Sequence, residues 1–216
     1  MKAKLLAGLI AAIALVVPTA SIAAGSGTRV RVDPVESDRV QRLFAWGLAT
    51  NPASGSIVAP ATCAPDPAAK TRVWFMPLFF GSGSADVNCK VPDKTTLVLN
   101  IGGTLCPEDV AGGYPRSTLV SCAIQSERDH PGLQTVIVDG KDTDEFADDD
   151  TAVFDATLPA NNVFGLPAGT RGFAYDGRNL AIRGLERGDH TIRVIYRLAP
   201  TDFQFDVDIT YHVTIA

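Results

Sequence analysis

The sequence predicts an all-β protein: a single antiparallel β-sandwich of about eight or nine strands, with one or two short peripheral helices and two disulfides. Three observations point there. Residues 203–215 alternate without a break, with Phe203, Phe205, Val207, Ile209, Tyr211, Val213 and Ile215 on one face and Gln204, Asp206, Asp208, Thr210, His212 and Thr214 on the other. Side chains of a strand point to alternate faces, so one face is core and the other is wet. Short apolar runs separated by Gly, Pro and Asn recur along the chain, which is the punctuation of an antiparallel sandwich rather than of an α/β sheet. Four cysteines, Cys63, Cys89, Cys106 and Cys122, make an even count with no Cys-x-x-Cys spacing, which reads as two disulfides rather than zinc or redox chemistry. Three connectivities exist for four cysteines; nearest-neighbour pairing, Cys63–Cys89 and Cys106–Cys122, is the expectation.

Taken in order, residues 1–23 read as a cleavable export signal. Lys2 and Lys4 precede an apolar run over residues 5–17, Pro18 breaks it, and Ser21-Ile22-Ala23 is a small-x-small cleavage motif. The run falls short of the roughly 20 residues that a bilayer requires. No cysteine follows it to carry a lipid, and no transmembrane segment is expected. The expectation is a secreted or periplasmic chain, residues 24–216, forming one sandwich domain. Loss of the two signal lysines takes the formal charge from −5 to −7. The basic residues are scattered, so a nucleic-acid partner is not expected.

Residues 29–35 read as a short edge strand. Val40, Leu43, Phe44, Gly47 and Leu48 then recur at helical spacing behind Ser37 or Asp38 as N-cap, and Asn51-Pro52 ends the pattern. Phe44 and Trp46 cannot share the narrow inner stripe, so one covers a sheet edge or stays exposed. Residues 52–69 read as a loop tied down by Cys63, and residues 72–76 as a strand ending at Pro77. Residues 81–84 read as a turn. Residues 95–101 form a continuous apolar run bounded by Pro92 and by Gly102-Gly103, which suits a central strand covered on both faces.

A short helix is expected over residues 116–126, with Leu119, Cys122 and Ala123 inward. Further strands are expected at residues 133–138, turned by Asp139-Gly140, then at 151–158, 172–175 and 179–185. The last hairpin joins residues 191–197 to residues 203–215. Matching its apolar faces across a short loop at residues 198–202 sets Val194 opposite Phe205 and Tyr196 opposite Phe203, with Arg193 facing Asp206 and Arg197 facing Asp202 outside.

Several of these residues form a pattern that extends over most of the chain beyond residue 23. It runs Trp46, Asn51-Pro52, Cys63, Val73-Trp74-Phe75, Cys89-Lys90-Val91-Pro92 and an apolar strand ending in Asn100. It continues through Cys106, Cys122, Val138-Asp139-Gly140, Asp176-Gly177, Leu185 and Gly188-Asp189-His190-Thr191-Ile192 to Tyr211. This resembles a family of uncharacterised exported bacterial β-sandwich proteins. The resemblance implies the sandwich fold and supports the Cys106–Cys122 pair; it implies no activity. The chain departs from the family where Pro92-Asp93-Lys94 replaces a Pro-Ala-Gly-Lys turn.

Candidate chemistry is sparse. Residues 139–150 hold Asp139, Asp142, Asp144, Glu145, Asp148, Asp149 and Asp150. Calcium takes about six to eight oxygens, so Asp142, Asp144 and Asp148 are the candidate calcium ligands, although Phe146 and Ala147 break the EF-hand pattern. His190, at a turn-to-strand junction, is expected to bond loop backbone or to pack on an aromatic ring. His212 lies on the wet face, and His130 precedes Pro131 in a loop. Gly81-Ser82-Gly83-Ser84-Ala85 is not a nucleophile elbow. Trp46, Trp74, Phe79, Phe80, Tyr114 and Tyr175 lie in or beside loops, where flat rings either form satellite core or offer a binding platform. The functional expectation is a non-catalytic exported protein that binds a ligand or a protein partner. The alternative is a carbohydrate-active hydrolase or lyase using carboxylates of residues 139–150, or Asp206 and Asp208.

Overall fold

The computed structural model describes residues 30–50, 57–143, 150–198 and 205–216. Thirteen strands and two α-helices occur among them. In chain order these are β1 (Arg31–Pro34), α1 (Ser37–Leu48), β2 (Val58–Ala59), β3 (Ala64–Pro65), β4 (Val73–Phe75), β5 (Leu78–Phe79), β6 (Gly83–Val91) and β7 (Thr96–Pro107). A 3-10 turn at Arg116–Thr118 leads into α2 (Leu119–Asp129). Then follow β8 (Gly132–Val138), β9 (Lys141–Asp142), β10 (Asp150–Leu158), β11 (Gly169–Arg183), β12 (Gly188–Leu198) and β13 (Asp206–Ile215). Residues 1–29, which include the expected export signal, and residues 51–56, 144–149 and 199–204 lie outside the described residues.

Two sheets make the sandwich. The first runs β1-β11-β7-β4-β3, with β10 also on β11; the second runs β6-β13-β12-β8-β9, and β2 pairs with β5 in a separate ribbon. The core between the sheets follows from period 2. Ile192, Val194 and Tyr196 of β12 and Val207, Ile209 and Tyr211 of β13 meet Leu97, Leu99 and Ile101 of β7 and Leu180 and Ile182 of β11. The alternate residues Val98 and Ala181 point to the other face of the first sheet, where Val40, Leu43, Phe44 and Leu48 of α1 cover them. Residues 96–101 are thus covered on both faces, as a continuous apolar run implies. Leu119 and Ala123 of α2 pack on Cys106 of β7 and Ala174 of β11, both in the first sheet. Both disulfides pair nearest neighbours, Cys63–Cys89 and Cys106–Cys122. The second ties α2 to β7.

The structure corrects several local expectations. β12 and β13 pair with Val194 opposite Ile209 and Tyr196 opposite Val207, four residues from the expected register. Alternation constrains register only to an even offset, so both faces survive the shift; Leu198 N–H donating to Phe205 O at 3.1 Å shows where the ladder ends. Arg193 therefore bonds Asp208 rather than Asp206, with Nε to Oδ1 at 2.7 Å, and Asp206 lies 3.9 Å from Arg197. Phe203 and Asp202 lie outside the described residues.

β11 is one strand of fifteen residues where two were expected. Asp176-Gly177 continues the ladder with Thr151 and Asp150 instead of turning it. Residues 83–84, read as a turn, open β6, which runs parallel to β13; β4 and β7 are the other parallel pair. Helix α1 starts at Ser37 itself, with Glu36 in the cap position and no side-chain cap. Residues 57–69, read as loop, contain the two-residue strands β2 and β3.

Candidate functional site: a ring-lined cleft beside β7

The site originates where β4 stops. Met76 N–H donates to Val98 O at 2.8 Å, and Pro77 has no N–H to continue the ladder. β4 therefore pairs only with residues 96–98 of β7. Beyond Val98, β7 keeps β11 on one side and has no strand on the other among the described residues. Its backbone irregularity lies in the same place. The register with β11 slips at Ile101, between Asn100–Asn179 and Gly102–Arg178, and Gly102 and Gly103 have φ of 138° and 147°. Glycine is required there twice over: a Cβ on Gly102 would lie 2.2 Å from the Tyr196 ring. Gly132 borders the same ring from β8, with a built Cβ 2.1 Å away. Tyr196 is thus seated between two glycine backbones.

A cleft of about 520 Å³ opens along this stretch. Its walls carry Phe44 from α1, Phe79 and Phe80 from β5 and the residue after it, and Phe164 from the β10–β11 connection. Tyr175, Tyr196 and Phe205 complete them from β11, β12 and the approach to β13. The rings support one another: Phe44 and Tyr175 have centroids 4.3 Å apart, Tyr196 and Phe205 5.9 Å, and Phe80 and Phe164 6.4 Å. Val163, 40% exposed, stands at the rim.

Among the described residues four polar side chains line the cleft: Asn100, Thr104, Ser126 and His130. Asn100 Nδ2 donates to the Tyr175 hydroxyl at 2.7 Å, and that hydroxyl donates to Gly102 O at 2.7 Å. None of the hydrogen bonds of Asn100 uses its Oδ1. Opposite it, the Nδ2 of fully buried Asn179 has no partner. The Thr104 hydroxyl donates to Glu127 at 3.2 Å and lies 3.4 Å from Ser126 Oγ. His130 Nδ1 bonds the carbonyl of Ser126 at 3.2 Å. A carbonyl only accepts, so Nδ1 carries the proton and Nε2 of the neutral ring is an acceptor. No Asp, Glu, Lys or Arg lines the cleft among the described residues.

The sequence-derived candidates disperse. Phe79, Phe80 and Tyr175 reach the cleft. Trp46 lies against Phe75, with ring centroids 5.8 Å apart, and Trp74 packs on the inter-sheet core. Tyr114 is half exposed, in a loop closed by a bridge with Asp109. Asp142 lies exposed in β9, whereas Asp144 and Asp148 fall outside the described residues. Among the described residues no group of three or more His, Cys, Asp or Glu is placed to hold a metal.

His190 bonds Asp139 Oδ2 through Nδ1 at 2.7 Å and the Glu186 carbonyl through Nε2 at 2.8 Å. Burial alone would lower its pKa, but the bonds to Asp139 and Glu186 and the charges of Asp139 and Asp189 outweigh it and raise the value. His212 bonds Asp86 at 2.9 Å on the wet face. The Asp208 carboxyl is held below the usual carboxylate range by its bond to Arg193. Burial pushes the Tyr211 phenol up; its hydroxyl donates to Pro77 O at 2.9 Å and so fixes the corner from which the cleft opens.

The cleft itself escapes sequence reading because its rings come from six separate segments. Phe44 reads as helix core, Tyr196 and Phe205 as hairpin core, and Phe164 carries no periodic signal. The one local cue is Gly102-Gly103 directly after a central-strand pattern, since paired glycines in a strand mark a bulge or a close approach.

No family model matches the chain, and no curated protein matches it. The solution structure of Amebosin is similar at 10% identity, over 61% of this chain and 96% of that one, with a TM-score of 0.19. A likeness that low carries no argument about fold or function.

Proposed function

We propose that this is an exported, non-catalytic binding protein and that the ring-lined cleft beside β7 takes its ligand. The observation that carries this reading is the cleft: among the described residues seven aromatic side chains converge on about 520 Å³ with four polar groups among them. Ligand sites are typically concave, mostly apolar and of roughly 300–1,000 Å³, with a few polar groups that fix orientation. Two disulfides and the amino-terminal signal pattern support export. Of the carboxylates suggested for hydrolysis, Asp206 and Asp208 do not favour that alternative, and residues 144–149 lie outside the described residues. Asp206 and Asp208 lie on the wet face beside Arg197 and Arg193, and a general acid needs a raised pKa where Asp208 has a lowered one.

A thermal-shift panel tests the reading, with the oxidised protein and a Val163→Trp variant that fills the rim. The panel contains uncharged aromatics, oligosaccharides, and calcium with a chelator control. A ligand at about a hundred times its dissociation constant adds roughly 2.7 kcal/mol, a rise of roughly 5–10 °C here. A rise with an aromatic that Val163→Trp abolishes is expected. A rise that Val163→Trp leaves intact would place the site elsewhere.

A further inference from the structure

We infer that the cleft is built for an uncharged, ring-bearing molecule that carries one hydrogen-bond donor, the chemistry of a phenol or an aromatic alcohol. The inference rests on the binding reading above and names the ligand class for that site. Its first support is the balance of donors and acceptors. Asn100 spends its amide N–H on Tyr175 and leaves Oδ1 without a donor. His130 spends its Nδ1 proton on the Ser126 carbonyl, and its Nε2 has no partner among the described residues. The Thr104 hydroxyl has already given its proton to Glu127. The free capacity of these three groups is to accept, while Ser126 Oγ, which accepts from Thr104, keeps its own proton to give; the matching ligand group is therefore a hydroxyl, which donates and can also accept.

The second support is charge. A carboxylate or phosphate entering the cleft would find no Lys or Arg among the described lining residues, and a primary ammonium no Asp or Glu. Transfer of such an ion from water without a counter-charge is heavily disfavoured. A quaternary ammonium would gain from the ring faces, yet it has no proton to offer Asn100 or His130. A sugar presents a hydroxyl on nearly every carbon, far more than four polar side chains can satisfy, so most of its hydroxyls would be desolvated unpaired. A flat apolar body with a single hydroxyl matches both walls: rings stack on rings, and the hydroxyl reaches the edge formed by β7 and the end of α2.

The test uses four probes of similar size on the oxidised protein at pH 8. They are 2-naphthol, its methyl ether, 2-naphthoate and phenyltrimethylammonium, each followed by equilibrium dialysis. The expected order places 2-naphthol first, with the ether and the carboxylate weaker by roughly tenfold or more, because each lacks the donor or adds an uncompensated charge. Val163→Trp removes binding of all four. His130→Phe, at an exposed side chain that folding tolerates, brings 2-naphthol and its ether together. If naphthol and ether bind equally, or the carboxylate or ammonium binds tightest, and Val163→Trp still removes binding, the donor inference is overturned and the cleft remains the site. If no probe binds, this inference fails, and the thermal-shift panel judges the broader reading separately.

Discussion

Asp139, in the turn after β8, and His190, at the start of β12, are 51 residues apart in sequence and 2.7 Å apart in space. The same carboxylate accepts the backbone N–H of Thr191 at 2.9 Å, so one side chain pins the β8–β9 turn to the neighbouring strand. Both ring nitrogens of His190 face atoms that only accept, which needs two ring protons and therefore the imidazolium. The pKa of His190 is raised accordingly. A raised folded-state value means that this contribution is complete below the unfolded value of about 6.5 and is lost as pH rises through the higher folded one. Melting temperature measured from pH 6 to 9 is expected to fall more steeply in the wild type than in His190→Gln. Asp139→Asn, which keeps an acceptor for Thr191 but drops the charge, is expected to flatten the profile as well.

Arg42 of α1 grips Asp66, whose side chain is fully buried, through Nε at 3.1 Å and Nη2 at 2.9 Å. The Asp66 carboxylate also accepts Ala68 N–H at 3.0 Å. Truncating one partner of such a pair leaves a buried charge, which typically costs roughly 3–5 kcal/mol. Arg42→Ala is expected to lower the unfolding free energy, measured by urea denaturation, by an amount near the low end of that range, since Arg42 is part-exposed. Arg42→Lys loses the two-pronged geometry and falls between.

The Cys106–Cys122 bridge closes a span of 16 residues and Cys63–Cys89 a span of 26. In the loop-entropy treatment each stabilises by roughly 3–4 kcal/mol. Their functional effects differ. Only the first anchors α2, which carries Ser126 and leads to His130 at the cleft edge. Replacing Cys106 and Cys122 by Ser is expected to weaken 2-naphthol binding severalfold as well as stability. Replacing Cys63 and Cys89 is expected to lower stability alone.

Gly102→Ala places a methyl group against the Tyr196 ring at a backbone φ of 138°. Overpacking and the unfavourable φ act together, for a cost of roughly 2–4 kcal/mol. Gly140→Ala is the contrast: its φ of 76° carries strain, but nothing lies within 4 Å of the added methyl. Chemical denaturation of both variants should show the larger loss at Gly102.

Much of the framework is legible in the chain because it rests on period. Residues 203–215 announce β13, and Val40, Leu43, Phe44 and Leu48 announce the buried face of α1. Register is not legible, because alternation permits any even offset; the ladder ends where Leu198 N–H meets Phe205 O. β6 is concealed by Gly83 and Ser84, whose composition signals a turn although Val87, Cys89 and Val91 alternate inward behind them. Asp176-Gly177 deceives in the same way inside β11. The cleft is a property of where β4 ends and which loops meet there, so it exists only in three dimensions.

The most direct measurement is a two-dimensional amide NMR titration of the oxidised protein with 2-naphthol. The account predicts shifts concentrated at Gly103, Thr104, Leu105, Ser126 and Phe164, around the open edge of β7, with the wet face of the second sheet unmoved. Shifts centred on Asn88, Thr191 and His212, or none at concentrations that stabilise the protein, would contradict it.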